Sequence, residues 1–142
     1  MTVQVEIDPY AERAGTRVTE ATPERAVVEQ PGMRELDNHL GIRHASALYT
    51  TMYAASQALV RAAAGDTGRA RLTESVTTYP YIPVGLVTSV AEPAGGAWDT
   101  LGADLAEGRP AELKVRVESS NEDGRTVSTL DSTWRVEPLA DG

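Results

Sequence analysis

The chain has 142 residues, 41% of them hydrophobic, and sets 13 Lys and Arg against 21 Asp and Glu for a net charge of −8. That length predicts one domain, 1–142, with a core of its own, and an acidic chain without a basic run speaks against nucleic acid as a partner. Cysteine is absent, which excludes disulfides and thiolate metal sites.

Residues 1–14 hold one short alternation, Val3, Val5 and Ile7, which Asp8-Pro9 ends. They predict a strand or an ordered arm. The opening MTVQVEIDPY lacks a cationic segment followed by a long apolar one, so no secretory leader is expected. No apolar run approaches the roughly 18 residues of a membrane span. A cytoplasmic domain with no membrane partner is the expectation. Arg17 to Glu20 and Arg25 to Gln30 predict two strands of a hairpin, joined by a turn in which Pro23 fixes φ.

A polar turn, Asp37 to His44, leads into a run from Ala45 to Ala64 without Gly or Pro. Ala, Leu and Met are good helix formers. Leu48, Met52, Ala55, Leu59 and Ala62 step by three and four along one face. Ala45, Ala47, Ala54, Ala58 and Ala63 make much of the remaining surface apolar. A helix apolar nearly all round is buried, and Gly65 is its predicted stop. After Gly68 the period changes to two, with Leu72, Glu74, Val76 and Thr78 alternating with their neighbours. Two prolines in Tyr79-Pro80-Tyr81-Ile82-Pro83 interrupt the pairing. Val84 to Ala91 predicts a further strand, and Pro93, Gly95 and Gly96 predict a connection. Trp98 to Glu107 fits either a short helix or more strand. Ala111 to Glu118 and Arg125 to Val136 predict the closing hairpin around Asp123-Gly124. A parity shift between Val127 and Leu130 predicts a bulge or a twist. Residues 138–142 are expected to fray. One long helix followed by a run of antiparallel strands is an α+β pattern, in which a twisted sheet curls around the helix.

Several stretches resemble the hotdog-fold PaaI-like acyl-CoA thioesterases, and more closely the uncharacterised thioesterase-like branch beside them. Pro9-Tyr10, Ala14-Gly15 and Arg17-Val18-Thr19-Glu20 resemble the opening of that branch. Asn38, Gly41 and His44 stand in the spacing of its turn, and Ala45-Ser46-Ala47-Leu48-Tyr49 stands where the family has a Gly-Gly pair and the helix start. Glu107-Gly108, Leu113-Lys114-Val115, Asp123-Gly124 and Trp134 fit its closing hairpin. The resemblance implies a hotdog fold and a homodimer, or a dimer of dimers, with sites between subunits. It implies an acyl-CoA or acyl-carrier thioester as substrate. It also implies that helix N-terminal amides, here those of Ala45 and Ser46, hold the thioester oxygen, with Asn38, Gly41 and His44 beside them.

One departure from the family pattern is chemical. The position of the family's helix Asp or Glu, counted from His44, is Tyr53, and no carboxylate lies between Asp37 and Asp66. A phenol, which ordinarily ionises only near pH 10, is a poor base. Water activation then falls to His44 or His39, with Thr50, Thr51 and Gln57 positioning it. Glu35 and Asp37 form a carboxylate pair that could replace the missing acid, though a solvated face accounts for it more simply. His44 could equally cap the helix, and Asn38 could equally serve its own turn. Tyr79, Pro80, Tyr81 and Pro83 could frame an acyl tunnel or merely kink the sheet. The expected function is hydrolysis of an acyl thioester with His44, Asn38 and Tyr53 at the centre. A non-hydrolytic binder of acyl or polyketide-like ligands is the alternative, and a dehydratase or hydratase is a third reading. No His, Asp and Glu cluster has metal-ligand spacing, no Gly-rich phosphate loop is present, and no cofactor is expected.

Overall fold

The computed structural model describes residues 2–139. Helix α2 spans Ala45–Ala64, the bounds its composition predicts. Gly65 ends it at φ +57, a conformation that glycine adopts without strain. Leu48, Met52, Ala55 and Leu59 are buried along one face, while Ala62 is only half-buried.

Six strands form one antiparallel sheet: β1 (Arg17–Ala21), β2 (Ala26–Gln30), β3 (Gly68–Thr78), β4 (Val87–Gly96), β5 (Ala111–Ser120) and β6 (Thr126–Pro138). Their spatial order is β1-β2-β4-β5-β6-β3. The strand after α2 therefore crosses to the far edge of the sheet. α2 touches every one of the six strands, so the sheet wraps the helix. This is the α+β hotdog architecture. Leu113, Val115 and Val117 of β5 point inward as their alternation predicts. Leu130, Trp134 and Val136 of β6 join them against Met52, Ala55 and Leu59 in one core.

The structure departs from the sequence reading at several elements. β4 begins at Val87 rather than Val84 and continues through Pro93 to Gly96, the stretch expected to be a connection. The pairing explains this. β2 begins at Ala26, opposite Ala91, so beyond Ala91 only β5 pairs with β4. Proline is tolerated where a strand is paired on one side only or bulged, and a register shift follows between Pro93 and Gly95. Gly96, at φ +97, lets the backbone approach β5. A Cβ at this position would stand 2.4 Å from the Glu112 carbonyl oxygen. Gly96→Ala is expected to lower unfolding free energy by about 1–3 kcal/mol, read from the shift of a urea midpoint.

The ambiguous stretch at 98–107 resolves as helix α3 (Leu101–Ala106), which buries Leu101 and Leu105. In the expected arm, Pro9–Arg13 forms the short helix α1, with Pro at its start. The segment before it is tied to β1 by the Val3 N–H donating to the Ala21 carbonyl at 2.6 Å. The irregularity expected near Val127 lies beside it, where pairing passes from Ser119 opposite Ser128 to Ser120 opposite Thr126. Of the tail expected to fray at 138–142, Pro138 closes β6 and pairs with Gly68. Residues 140–142 lie outside the described residues.

Candidate active site

The start of α2 is built by its own turn. Asn38 Oδ1 accepts the Leu40 N–H at 2.9 Å and the Ile42 N–H at 3.2 Å. Gly41, at φ +75, donates its N–H to the Asn38 carbonyl. Asn38 and Gly41 thus shape the loop that delivers His44. His44 is the N-cap, with extended backbone and its Nδ1 accepting the Ser46 N–H at 2.9 Å. An accepting Nδ1 carries no proton, so in the neutral ring the proton is on Nε2. His44 therefore presents a donor outward, and its basic nitrogen is engaged by the backbone. Replacing His44 with Ala is expected to cost about 1 kcal/mol, whereas Asn, another capping residue, retains most of it. Thermal melts of the two variants check this.

The cap also sorts the two amides expected to act together. The Ser46 N–H is occupied. The Ala45 N–H has no acceptor among the described residues, and Ala45 is exposed. Four N–H groups at a helix start lack intrahelical partners, and this one belongs to an exposed residue. Above it lies a groove of about 380 Å³, lined by Tyr10, Ala45, Ser46, Tyr49, Thr50 and Tyr79. Three of the chain's five tyrosines wall it. The Tyr49 hydroxyl shares a 3.1 Å hydrogen bond with Ser75 Oγ of β3. Thr50 donates back to the Ser46 carbonyl at 2.8 Å, as helical threonines do. Larger hollows of about 630 and 680 Å³ lie elsewhere. The first is on charged strand residues such as Arg116 and Glu118. The second is at the C-terminal end of α2, where carbonyls rather than N–H groups are free. Neither offers a helix N–H to a substrate oxygen.

Other expected residues lie further along the helix or away from it. Tyr53 packs one turn below Tyr49, its ring 6.4 Å from that ring and 5.4 Å from Trp134. Burial, then the negative charge of Asp8, raises its phenol above the ordinary value, and Arg61 only partly offsets them. Tyr53 stays a neutral phenol near neutral pH. Gln57 and Thr51 are buried, and His39 is exposed. Of the aromatics that could frame a tunnel or merely kink the sheet, Tyr79 reaches the groove, while the Tyr81 ring lies 4.2 Å under the Arg125 guanidinium. Asp37 lines a separate hollow with Arg34 and Arg43.

Two features escape sequence reasoning. Arg43, only 6% exposed, donates to Gln30 Oε1 at 3.0 Å and to the Gly85 carbonyl at 2.5 Å. Burial lowers its pKa, and Asp37 opposes that shift. Gln30 passes the connection on, donating to the Ala47 carbonyl at 2.9 Å. The second feature is Asp8, whose carboxylate lies 3.5 Å from Gln57 Nε2 and 3.7 Å from the Arg61 guanidinium. Asp8-Pro9 is legible as a helix start, since Asp suits an N-cap and Pro the first helical position. Its side chain nevertheless makes no cap bond. Among the described residues no group of three or more His, Cys, Asp or Glu could hold a metal, and no helix is long and apolar enough to cross a membrane.

Residues 2–136 match a family model described as a domain of unknown function, DUF4442. No curated protein matches the chain. Among solved structures, AziG of S. sahachiroi is 22% identical with a TM-score of 0.80, over 94% of this chain and 100% of that one. A Pseudomonas aeruginosa protein described as a probable thioesterase is 19% identical with a TM-score of 0.79, over 93% and 89%. A mutant of the phenylacetic acid degradation protein PaaI from Thermus thermophilus is 22% identical with a TM-score of 0.72, over 93% and 100%. At these identities the likeness is one of fold.

Proposed function

Since this chain belongs to the DUF4442 family and folds as a hotdog, we propose that it binds an acyl thioester at the start of α2 and hydrolyses it with water. The observation that carries this reading is an N–H without an acceptor at Ala45, a residue that lines a groove walled by tyrosines. A thioester oxygen gains negative charge when water attacks, and a fixed N–H at a helix start stabilises that charge more than it stabilises the neutral carbonyl. The positive end of the α2 dipole acts in the same sense. His44 Nε2–H is a second donor, suited to the oxyanion or the leaving sulfur. Asn38 and Gly41 position His44, and Ser46, through its bond to Nδ1, fixes the ring. Thr50 and Tyr79 border the acyl group. The thiol carrier is coenzyme A or an acyl carrier protein, and the protein works as a homodimer in the cytoplasm. The solved structure described as a probable thioesterase supports the reaction class through a shared fold.

The second reading is a binder that does not hydrolyse. It is favoured by the absence of any carboxylate on α2 and by the raised phenol at Tyr53. A panel of acyl-CoA and acyl-carrier thioesters, followed by release of free thiol, separates the two. Turnover that saturates with substrate supports hydrolysis. Saturable binding of the same thioesters with no thiol above the buffer rate supports the binder and rejects the hydrolase.

A further inference from the structure

Hydrolysis needs a group that takes a proton from water beside the acyl carbon. At the start of α2 the basic nitrogen of His44 is bound to Ser46, and Asn38 has no basic atom. Between Ala45 and Ala64 no residue is an acid. A carboxylate nevertheless reaches this helix from another segment. Asp8, at the end of the N-terminal arm, sets both oxygens 3.5 Å from Gln57 Nε2 and one of them 3.7 Å from Arg61. Its side chain is 43% exposed, so it is open to water while still in contact with the helix. Gln57 is the reverse case. It is 6% exposed, and its Oε1 is buried without a donor among the described residues. A buried amide oxygen without a donor is costly, and a bound water relieves it. A water that donates one hydrogen to Gln57 Oε1 finds in Asp8 an acceptor for the other.

From this cluster we infer that Asp8 is the general base, that Gln57 positions the water, and that the pair serves a thioester held at α2 of a second copy of the chain. The inference rests on the thioesterase reading. The second copy follows from length. Gln57 lies twelve residues beyond Ala45, about 18 Å along the helix axis. A base must stand within hydrogen-bond reach of its proton, directly or through one water. Within one chain the Ala45 N–H and Asp8 are too far apart to act on one carbonyl. Two copies related by a two-fold axis, with their α2 helices side by side and antiparallel, bring the middle of one helix to the start of the other. The sheet has a seam for such a pair. β3 is an edge strand of eleven residues, and no strand among the described residues pairs with its outer side.

In the proposed step Asp8 takes a proton from water as the water oxygen bonds to the acyl carbon. The carbonyl electron pair moves onto the oxygen held by the Ala45 N–H. As that pair returns, the carbon–sulfur bond breaks, and the protonated Asp8 gives its proton to the leaving thiolate. One water is consumed, and a carboxylic acid and a thiol are released.

The test measures kcat and KM on the acyl-CoA thioester that the wild type turns over fastest. Asp8→Asn is expected to lower kcat about 100-fold or more, with KM changed less than about threefold. Asp8→Glu recovers part of the loss. Arg61→Ala breaks the ion pair of the arm but keeps the carboxylate, and should lose less than about fivefold. Co-expressing Asp8→Asn with Ala45→Pro should restore about a quarter of wild-type activity, because half the dimers are hybrids with one intact site each. Wild-type kcat in Asp8→Asn, or equal losses in Asp8→Asn and Arg61→Ala, overturns the base assignment. A co-expressed pair no more active than its members overturns the second-copy arrangement. A wild type that releases no thiol from any thioester removes the thioesterase reading, and this inference with it.

Discussion

Ala45→Pro is expected to lower kcat about 100-fold to 1,000-fold, the loss that follows removal of one oxyanion donor, while leaving the thermal midpoint nearly unchanged. The substitution replaces the N–H hydrogen with the ring Cδ and leaves the helix backbone otherwise unchanged. Ala45 is the first helical residue, where proline is well tolerated because its missing N–H has no intrahelical acceptor. The preceding residue must be extended, and His44 already is, at φ −66 and ψ 138. Ala45 is exposed, so the ring displaces no packed neighbour. Ala45→Gly, which keeps the N–H, controls for the loss of the methyl group. Unchanged turnover in the proline variant would show that the thioester oxygen is held elsewhere. A collapse of both turnover and midpoint would mean the variant reports on folding and not on the site.

Trp134→Ala is expected to lower unfolding free energy by about 3–5 kcal/mol, a large share of the roughly 5–15 kcal/mol that holds a domain of this size together. Trp134 is the largest fully buried side chain among the described residues. It sits on β6 opposite Leu72 on one side and Leu113 on the other, with the Tyr53 ring 5.4 Å from its own. Its Nε1–H donates to Ser132 Oγ at 3.2 Å, and that hydroxyl donates on to the Val115 carbonyl at 3.2 Å. Truncation removes the indole between helix and sheet and leaves a void that close-packed neighbours fill only in part. Trp134→Phe keeps one aromatic ring and loses the pyrrole half with its donor, so it should fall well short of the alanine effect. Urea unfolding followed by far-UV circular dichroism measures both. A loss below about 1 kcal/mol for alanine would mean that this indole does not anchor the core.

The parts of the fold legible in the sequence are those whose cause is local. Ala45 to Ala64 announces itself through composition and through Gly65, and its buried stripe follows from 3.6-residue periodicity. β5 alternates cleanly because one face meets α2 and the other meets solvent. What escaped depends on neighbours far along the chain. Pro93 and Gly96 belong to a strand because β5 pairs with them beyond the point opposite the start of β2, and nothing near residue 93 encodes either neighbour. α1 is five residues long, too short to carry a period. The site divides in the same way. Asn38, Gly41, His44 and Ala45 are visible as a turn running into a helix, because their bonds close within a few residues. Asp8 meets Gln57 from 49 residues away, and only the path of the arm across α2 brings them together. A search for an acid within α2 finds none.

The buried guanidinium of Arg43 has a consequence for anyone rebuilding the segments that support the start of α2. It ties the end of β2, through Gln30, and the loop before β4, through Gly85, to the residue next to the helix cap, and Gln30 carries the tie on to Ala47. Lysine is a compact point charge on a flexible stem and cannot reproduce a planar fork bridging two acceptors. These segments therefore form one exchangeable module. A loop graft that moves the carbonyl at position 85 without matching changes at 30 and 43 strands an unshared charge in the interior, so these three segments are expected to tolerate exchange together or not at all.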